Sequence, residues 1–310
     1  CPRIAVSIML PLDGILVVSL EQAIAAPFCT RQLADLGARV IKVERPDGGD
    51  FARAYDDRAR GLSSHFVWTN RSKESLALDL KREGDLDMLR CLLARADVFV
   101  QNLAPGATRR LGLDPVALSA LYPRLITCEI SGYGIGGPDE QRKAYDLLIQ
   151  AESGFLSLTG TPEAPCKAGL SIADIAAGMY AYTNILAALL ERGRTGRGRH
   201  IDISMLEAMA EWMGFPLNYA MDGASPPPRA GASHATIFPY GPFAHADGQV
   251  ILAVQNEREW EAFCATVLER PDMATDPRFN ANQRRSENRA ALSAIRSEER
   301  RVGKECRSRW

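Results

Sequence analysis

The feature that most constrains this chain is a series of short apolar, β-branched runs separated by stretches of helical spacing. Residues 15–20 (ILVVSL) and 38–43 (ARVIKV) are two such runs. Between them, 27–36 has helical spacing, with Pro27 near its start and Gly37 at its end, the positions helices favour for these residues. The pattern repeats as strand 75–80, helix 83–96, strand 97–101, short helices 105–111 and 115–121, and strand 125–130. Alternating strands and helices predict a parallel sheet covered on both faces. Ligands of such sheets lie beyond the carboxyl ends of the strands.

The second half is more helical. The spacing predicts helices over 145–158 and 175–191, the latter stopped by Gly193, then strand 200–204 and helix 205–219. Ser225-Pro-Pro-Pro228 is the clearest linker. Beyond it, 240–244 and 250–254 flank a hairpin-like turn at Ala246-Asp247-Gly248, and 257–268 and 282–295 read as helices. The expected class is α/β: a large Rossmann-like parallel-sheet domain over 9–204, a linking helix and Pro-rich linker over 205–228, and a smaller α+β domain over 229–295. Residues 1–8 and 296–310 are expected to be foreign extensions. The chain begins with Cys1, a Met occurs at position 9, and the tail has only Val302 and Trp310 as large apolar residues.

Composition narrows the function. With 37 Lys+Arg against 38 Asp+Glu among 310 residues, there is no basic excess of the kind nucleic-acid binding requires. No run approaches the roughly 18 consecutive apolar residues of a membrane span. Seven cysteines without CxxC spacing suggest a reducing compartment, hence a cytoplasmic location. The four histidines have no HxxxH or HxxH spacing, so no metal site is expected. Gly132, Gly134 and Gly137 satisfy GxGxxG, but Pro138–Lys143 (PDEQRK) intervenes before any helix. A dinucleotide fingerprint needs the helix at once, so no nucleotide redox cofactor is expected. The arginines at 192, 194, 197 and 199 read as a solvated helix-to-strand turn, because no aromatic residue is interleaved for stacking.

Asp174, in GLSIADIAAGM (169–179), stands just before the long apolar helix. One reading is an N-cap, whose carboxylate accepts amide N–H bonds at a gain of about 1 kcal/mol. The other is a reactive carboxylate: the helix N-terminus keeps it ionised, and nearby free amides receive a developing oxyanion. The residue alone leaves both open.

The wider set of motifs resembles the class III coenzyme A transferases, the family of formyl-CoA:oxalate transferase and α-methylacyl-CoA racemase. The resemblance rests on PLDG at 11–14, ADLGARVIKVERP at 34–46, NRSKESLALDLK at 70–81, QNLAPGATRRLGLD at 101–114, SGYGIGGP at 131–138, YDLLIQAESGFLSLTG at 145–160, the Asp174 segment, and RTGRGRHIDISMLEAM at 194–209. It implies Asp174 as nucleophile and Arg45, Lys73, Asn102, Leu103 and Arg110 as coenzyme A contacts. It also implies acyl-CoA and a carboxylic acid as partners, and an interlocked homodimer in which the C-terminal part returns to the large domain. On that pattern this chain reads as C-terminally truncated, with an inactive fragment as one alternative.

The family chemistry passes CoA through an aspartyl-CoA thioester. The segment 20–53 looks most like members handling C4–C5 dicarboxylates such as mesaconate, itaconate, citramalate or succinate. Ile24 and the lack of a Gly-rich run near 231–248 depart from the oxalate enzyme. A racemase is the alternative enzyme; in that branch a His stands where this chain has Tyr145, and a phenol with a pKa near 10 is a poor base at neutrality.

Overall fold

The computed structural model describes residues 9–245 and 248–301; the expected extension at 1–8, the 302–310 part of the one expected at 296–310, and residues 246–247 of the expected turn lie outside them. The first half alternates as the sequence predicts: β1 (Leu16–Leu20), α1 (Ala25–Asp35), β2 (Arg39–Glu44), α2 (Ser64–Asn70), β3 (Lys73–Ala77), α3 (Glu83–Leu93), β4 (Val98–Gln101), α4 (Ala107–Arg110), α5 (Pro115–Leu121) and β5 (Ile126–Ser131). Then follow α6 (Asp146–Glu152), α7 (Ile172–Thr195), β6 (His200–Ser204), α8 (Met205–Trp212) and α9 (Gly214–Tyr219). The chain closes with β7 (Tyr240–His245), β8 (Gly248–Ala253), α10 (Glu257–Thr266), α11 (Asn282–Glu287) and α12 (Arg289–Arg301).

The six strands β1–β6 form one parallel sheet in the order β3-β2-β1-β4-β5-β6. The inner strands β1, β2, β4 and β5 are buried on both faces because their side chains alternate between two cores. Val17, Val98 and Val100 pack with α1, α7 and α8, while Val18 and Phe99 pack on the opposite face with Leu86, Leu89 and Leu118 of α3 and α5. The chain direction across the sheet reverses between β1 and β4, and the loops after these two strands flank the crevice where such folds bind ligands. Asn102 bridges those loops: its Oδ1 accepts the Gln22 N–H at 2.8 Å and its Nδ2 donates to the Gln22 carbonyl at 2.9 Å.

Several boundaries differ from the expectation, each for a local reason. β3 begins at Lys73 and ends at Ala77, two to three residues early, because the Asp85 carboxylate captures the Asp79 N–H at 2.8 Å and turns the chain into α3. The 145–158 helix stops at Glu152, followed by Gly154 at φ 80° and a 3-10 turn. The 205–219 helix breaks into α8 and α9 at Met213, where Gly214 and Pro216 cannot support a continuous ladder. Asn288 separates α11 from α12, its Nδ2 donating to the Arg284 carbonyl at 2.9 Å, and α12 continues past residue 295 to Arg301.

The chain divides into two compact units, 9–155 with 168–215, and Leu156–Lys167 with 216–301. This corrects the expected linking helix: Met205, Ala208 and Met209 of α8 are buried in the sheet's own core, so α8 belongs to the large unit. The second unit holds the β7–β8 hairpin and a core of Phe238, Trp260, Phe263, Phe279 and Leu292. Arg285 is fully buried there, with Nη1 2.7 Å from the Glu257 carboxylate and 3.0 Å from the Phe279 carbonyl.

The longest helix, α7, spans 24 residues and, by length and composition, is apolar enough to cross a membrane. Its small residues Ala173, Ala177, Ala181 and Ala188 are instead buried in the core beside α1 and the sheet. It runs past Gly193 and ends at Gly196 with φ 73°, the left-handed conformation that suits a helix C-cap. At that end Arg192 forms a 2.9 Å ion pair with Asp97 and donates to the Asp97 and Arg124 carbonyls. Asp97 in turn accepts the Leu16 N–H at 2.8 Å, so the helix is fixed to the start of β1.

Near its other end, Gly178 lets α7 approach α1 closely: a Cβ there would sit 2.7 Å from the Ala25 carbonyl oxygen and 3.1 Å from the Phe28 ring. Gly178→Ala is therefore expected to destabilise the protein by about 1–3 kcal/mol despite alanine's better helix propensity, measured as a lower midpoint in urea.

Candidate active site

Asp174 lies inside the first turn of α7, two residues after Ile172, and is not the N-cap. The cap position is Ser171, whose side chain makes no capping bond. The Asp146 carboxylate, at the start of α6, does that work: its Oδ1 accepts the Ala173 N–H at 2.8 Å and the Asp174 N–H at 3.4 Å. Asp146 is held by Gln150, whose Nε2 donates to its Oδ2 at 2.6 Å and whose Oε1 accepts the Ala168 N–H at 2.9 Å.

The half-buried Asp174 carboxyl faces the backbone N–H of Ala25, the first residue of α1. Two helix N-termini thus meet at this group. Burial, and then the charge on Asp146, push its pKa up to about 7, against the smaller pull of the Ala25 N–H. This corrects the expectation of an ordinarily ionised carboxylate with free α7 amides around it. The Ala173 and Asp174 amides are engaged by Asp146, and the donor aimed at Asp174 comes from α1. Sequence reading also missed Tyr55, whose phenol is raised by burial, Asp50, Asp174 and Tyr145. Its ring meets His65 edge-on at 5.6 Å. Tyr145, one of the groups acting on Tyr55, has the Lys143 ammonium 4.9 Å from its ring centre. A Tyr-Asp pair opening a helical pattern was the one available signal for Asp146; nothing periodic marks Tyr55.

The loop that carries Ala25 is fixed from below by buried charges. Glu21, directly after β1, accepts from Lys73 Nζ at 2.6 Å and from Thr30 Oγ1 at 2.6 Å. Lys42 on β2 pairs with Asp50 at 2.6 Å and donates to Asn70 Oδ1 at 2.8 Å. Asp50 Oδ1 accepts the Ala23 N–H at 3.1 Å, where Ala23 adopts φ 62°. Burial works against the Glu21 anion, yet Lys73 and Lys42 hold it below its ordinary range. Burial, and then Lys42, lower Lys73 to about 8 in spite of Glu21.

The five residues expected to contact coenzyme A therefore divide. Lys73 is not placed to meet a phosphate: its side chain is 2% exposed, with Nζ bonded to Glu21, the Pro27 carbonyl and Asn70. The Asn102 amide is engaged by the Gln22 backbone. Leu103 packs against the core on the α3–α5 face, its N–H held by Gln101 Oε1 at 2.7 Å. Arg45, just past β2, and Arg110, the last residue of α4, are exposed at the carboxyl side of the sheet. Arg45 donates to the Gly49 carbonyl at 3.1 Å. Among the described residues no group of three or more His, Cys, Asp or Glu is placed to hold a metal ion.

Comparison with known proteins gives a match to the model of CoA-transferase family III over residues 12–301. The chain is 38% identical to an acetyl-CoA:oxalate CoA-transferase of Acetobacter aceti over 286 residues, 92% of this chain and 73% of that one. It is 38% identical over 298 residues to a succinate–glutarate CoA-transferase of Agrobacterium fabrum, 93% of this chain and 74% of that one. A solved CaiB/BaiF family protein from Brucella suis superposes with a TM-score of 0.78 at 36% identity, covering 96% of this chain and 83% of the other.

Two outcomes are expected from this geometry. The folded-state pKa of Asp174, near 7, lies above the unfolded value of about 4, so the folded protein binds the extra proton between them. Stability contributed by that proton is present at low pH and lost as pH rises through 7. Asp174→Asn should accordingly stabilise the protein by roughly 1–3 kcal/mol at alkaline pH and little in acid, seen in paired thermal melts. Lys73→Met should leave Glu21 buried without its nearest cation and cost about 3–5 kcal/mol of stability, read by denaturation.

Proposed function

Because the chain belongs to CoA-transferase family III and is a CoA-transferase, we propose that it moves coenzyme A from an acyl-CoA to a short dicarboxylic acid through a covalent intermediate on Asp174. The observation that carries this reading is the half-buried Asp174 carboxyl facing the Ala25 N–H at the N-terminus of α1.

In the first step an Asp174 oxygen attacks the thioester carbonyl, the C–S bond breaks, and CoA leaves as thiolate with an acyl–aspartyl anhydride behind. The thiolate then attacks the aspartyl carbonyl, releasing the donor acid as carboxylate and forming the aspartyl-CoA thioester. The acceptor carboxylate attacks that thioester, and the returning thiolate takes the acyl group from the second anhydride and frees Asp174. No water or proton is consumed, so the site must keep water out while anhydrides exist. The Ala25 N–H is oriented to stabilise the oxyanion that forms at the Asp174 carbonyl in the second and third steps. The exposed Arg45 and Arg110 supply cations at the carboxyl side of the sheet for the anionic groups of CoA.

A dicarboxylate acceptor is supported by the relatives named for oxalate and for glutarate. The C4–C5 acids mesaconate, itaconate, citramalate and succinate are the acceptors proposed from the sequence, with the family homodimer as the acting form. One observation favours a second reading. A carboxyl titrating at about 7 is poised for proton transfer, as an acyl-CoA racemase needs, with Tyr145 in place of its histidine.

Incubation with succinyl-CoA and each acid should yield the new acyl-CoA, and hydroxylamine should trap a label on Asp174 by mass spectrometry. Asp174→Ala should reduce transfer at least about a thousandfold. Exchange that survives this change, or a label elsewhere, would overturn the nucleophile. Deuterium entering the α-position without CoA transfer would favour the racemase.

A further inference from the structure

The N-terminus of α7 is organised by a side chain from another element. Ser171 offers no capping bond, and Asp146, 27 and 28 positions before the amides it accepts, takes the Ala173 and Asp174 N–H groups. Gln150 is completely buried and holds both the second Asp146 oxygen and the Ala168 N–H, so the capping carboxylate has little freedom to turn away. We propose that Asp146 and Gln150 are positioning residues for Asp174: they withdraw the α7 amides from the reactive carboxylate and fix a second negative charge beside it.

A carboxylate in the first turn of a helix is ordinarily favoured by the free amides and the helix dipole. Here the amides of Ala173 and Asp174 point at Asp146, and the Asp146 charge opposes that of Asp174. The remaining groups that act on Asp174 are the Ala25 N–H from α1 and, from the segment after β2, Tyr55, which itself faces Asp50 and Tyr145. Tyr145 carries Lys143 over its ring. The upward shift of the Asp174 pKa agrees with this arrangement. The chemical consequence is twofold. A more basic carboxylate is a stronger nucleophile, and acylation removes its charge, so the repulsion by Asp146 is relieved in the covalent intermediates and weighs only on the free enzyme. This inference rests on Asp174 being the nucleophile.

The experiment uses the full chain with two substitutions, Asp146→Asn and Gln150→Met. It follows kcat/KM for transfer from succinyl-CoA to glutarate from about pH 5 to about pH 9. It also titrates the Asp174 carboxyl by carbon-13 NMR in substrate-free protein. Asp146→Asn should move the Asp174 titration and the acid limb of kcat/KM downward together by about 1–2 pH units, with a lower plateau. Gln150→Met keeps the charge, so it should lower the plateau by about tenfold and leave the acid limb in place. If Asp146→Asn depresses activity evenly at all pH values while Asp174 titrates unchanged, Asp146 is only a helix cap and the proposal fails. If the titration shifts as expected but the hydroxylamine label lies on another residue, the charge coupling stands and the nucleophile assignment is what fails.

Discussion

The structure depends on a set of charges buried beneath the loop between β1 and α1. Glu21, Lys73, Lys42 and Asp50 are almost wholly out of solvent, two anions against two cations. Removing such groups from water costs several kcal/mol each, and their mutual attraction offsets this only when the geometry is tight and the remaining valences are filled. Here they are filled by Thr30, Asn70 and the Ala23 amide. Adjacent to them Glu44 is bound by Arg53 and Ser75; burial alone would raise it, yet these partners and the Asp50 N–H hold it at about 2. The cluster specifies more than it stabilises. It forces Ala23 into a left-handed conformation and so fixes where α1 begins.

That starting point matters because the surroundings of Asp174 are assembled from element ends. Ala25 comes from the first turn of α1, Asp174 from the first turn of α7, Asp146 from the first turn of α6, and Tyr55 from the segment after β2. The sheet has the strand order of dinucleotide-binding proteins, yet the crevice at its reversal point is bridged by Asn102 on Gln22. The same topology thus carries a CoA-transferase, because the loops and not the sheet decide what is bound.

The alternation of strands and helices was legible because both faces of the sheet are buried, which leaves near-continuous apolar runs. Boundaries were less so wherever a side chain outside the element sets them, as Asp85 does for β3 from six residues away and Asp146 for α7 from much farther. Asp174 stood out by its place before a long helix, but its environment did not, since Asp146 is 28 residues away in sequence. Lys73, implied by the resemblance as a coenzyme A contact, has its ammonium engaged by Glu21, a partner 52 positions earlier that no local pattern points to. Arg45 and Arg110, implied by the resemblance as coenzyme A contacts, are exposed, Arg45 just past β2 and Arg110 at the end of α4.

The two fixed ends of α7 have a consequence of their own. One end is tied through Arg192 and Asp97 to the beginning of β1; the other presents Asp174 to the residues that follow the end of that same strand. The helix therefore acts as a ruler: the 18 residues from Asp174 to Arg192 span about 27 Å between the carboxyl and amino edges of the sheet. Exposed side chains along it can change with only local effect. Its length cannot, because one residue added or removed would turn the two ends by about 100° relative to each other and point either the anchor or the carboxylate away from its partners.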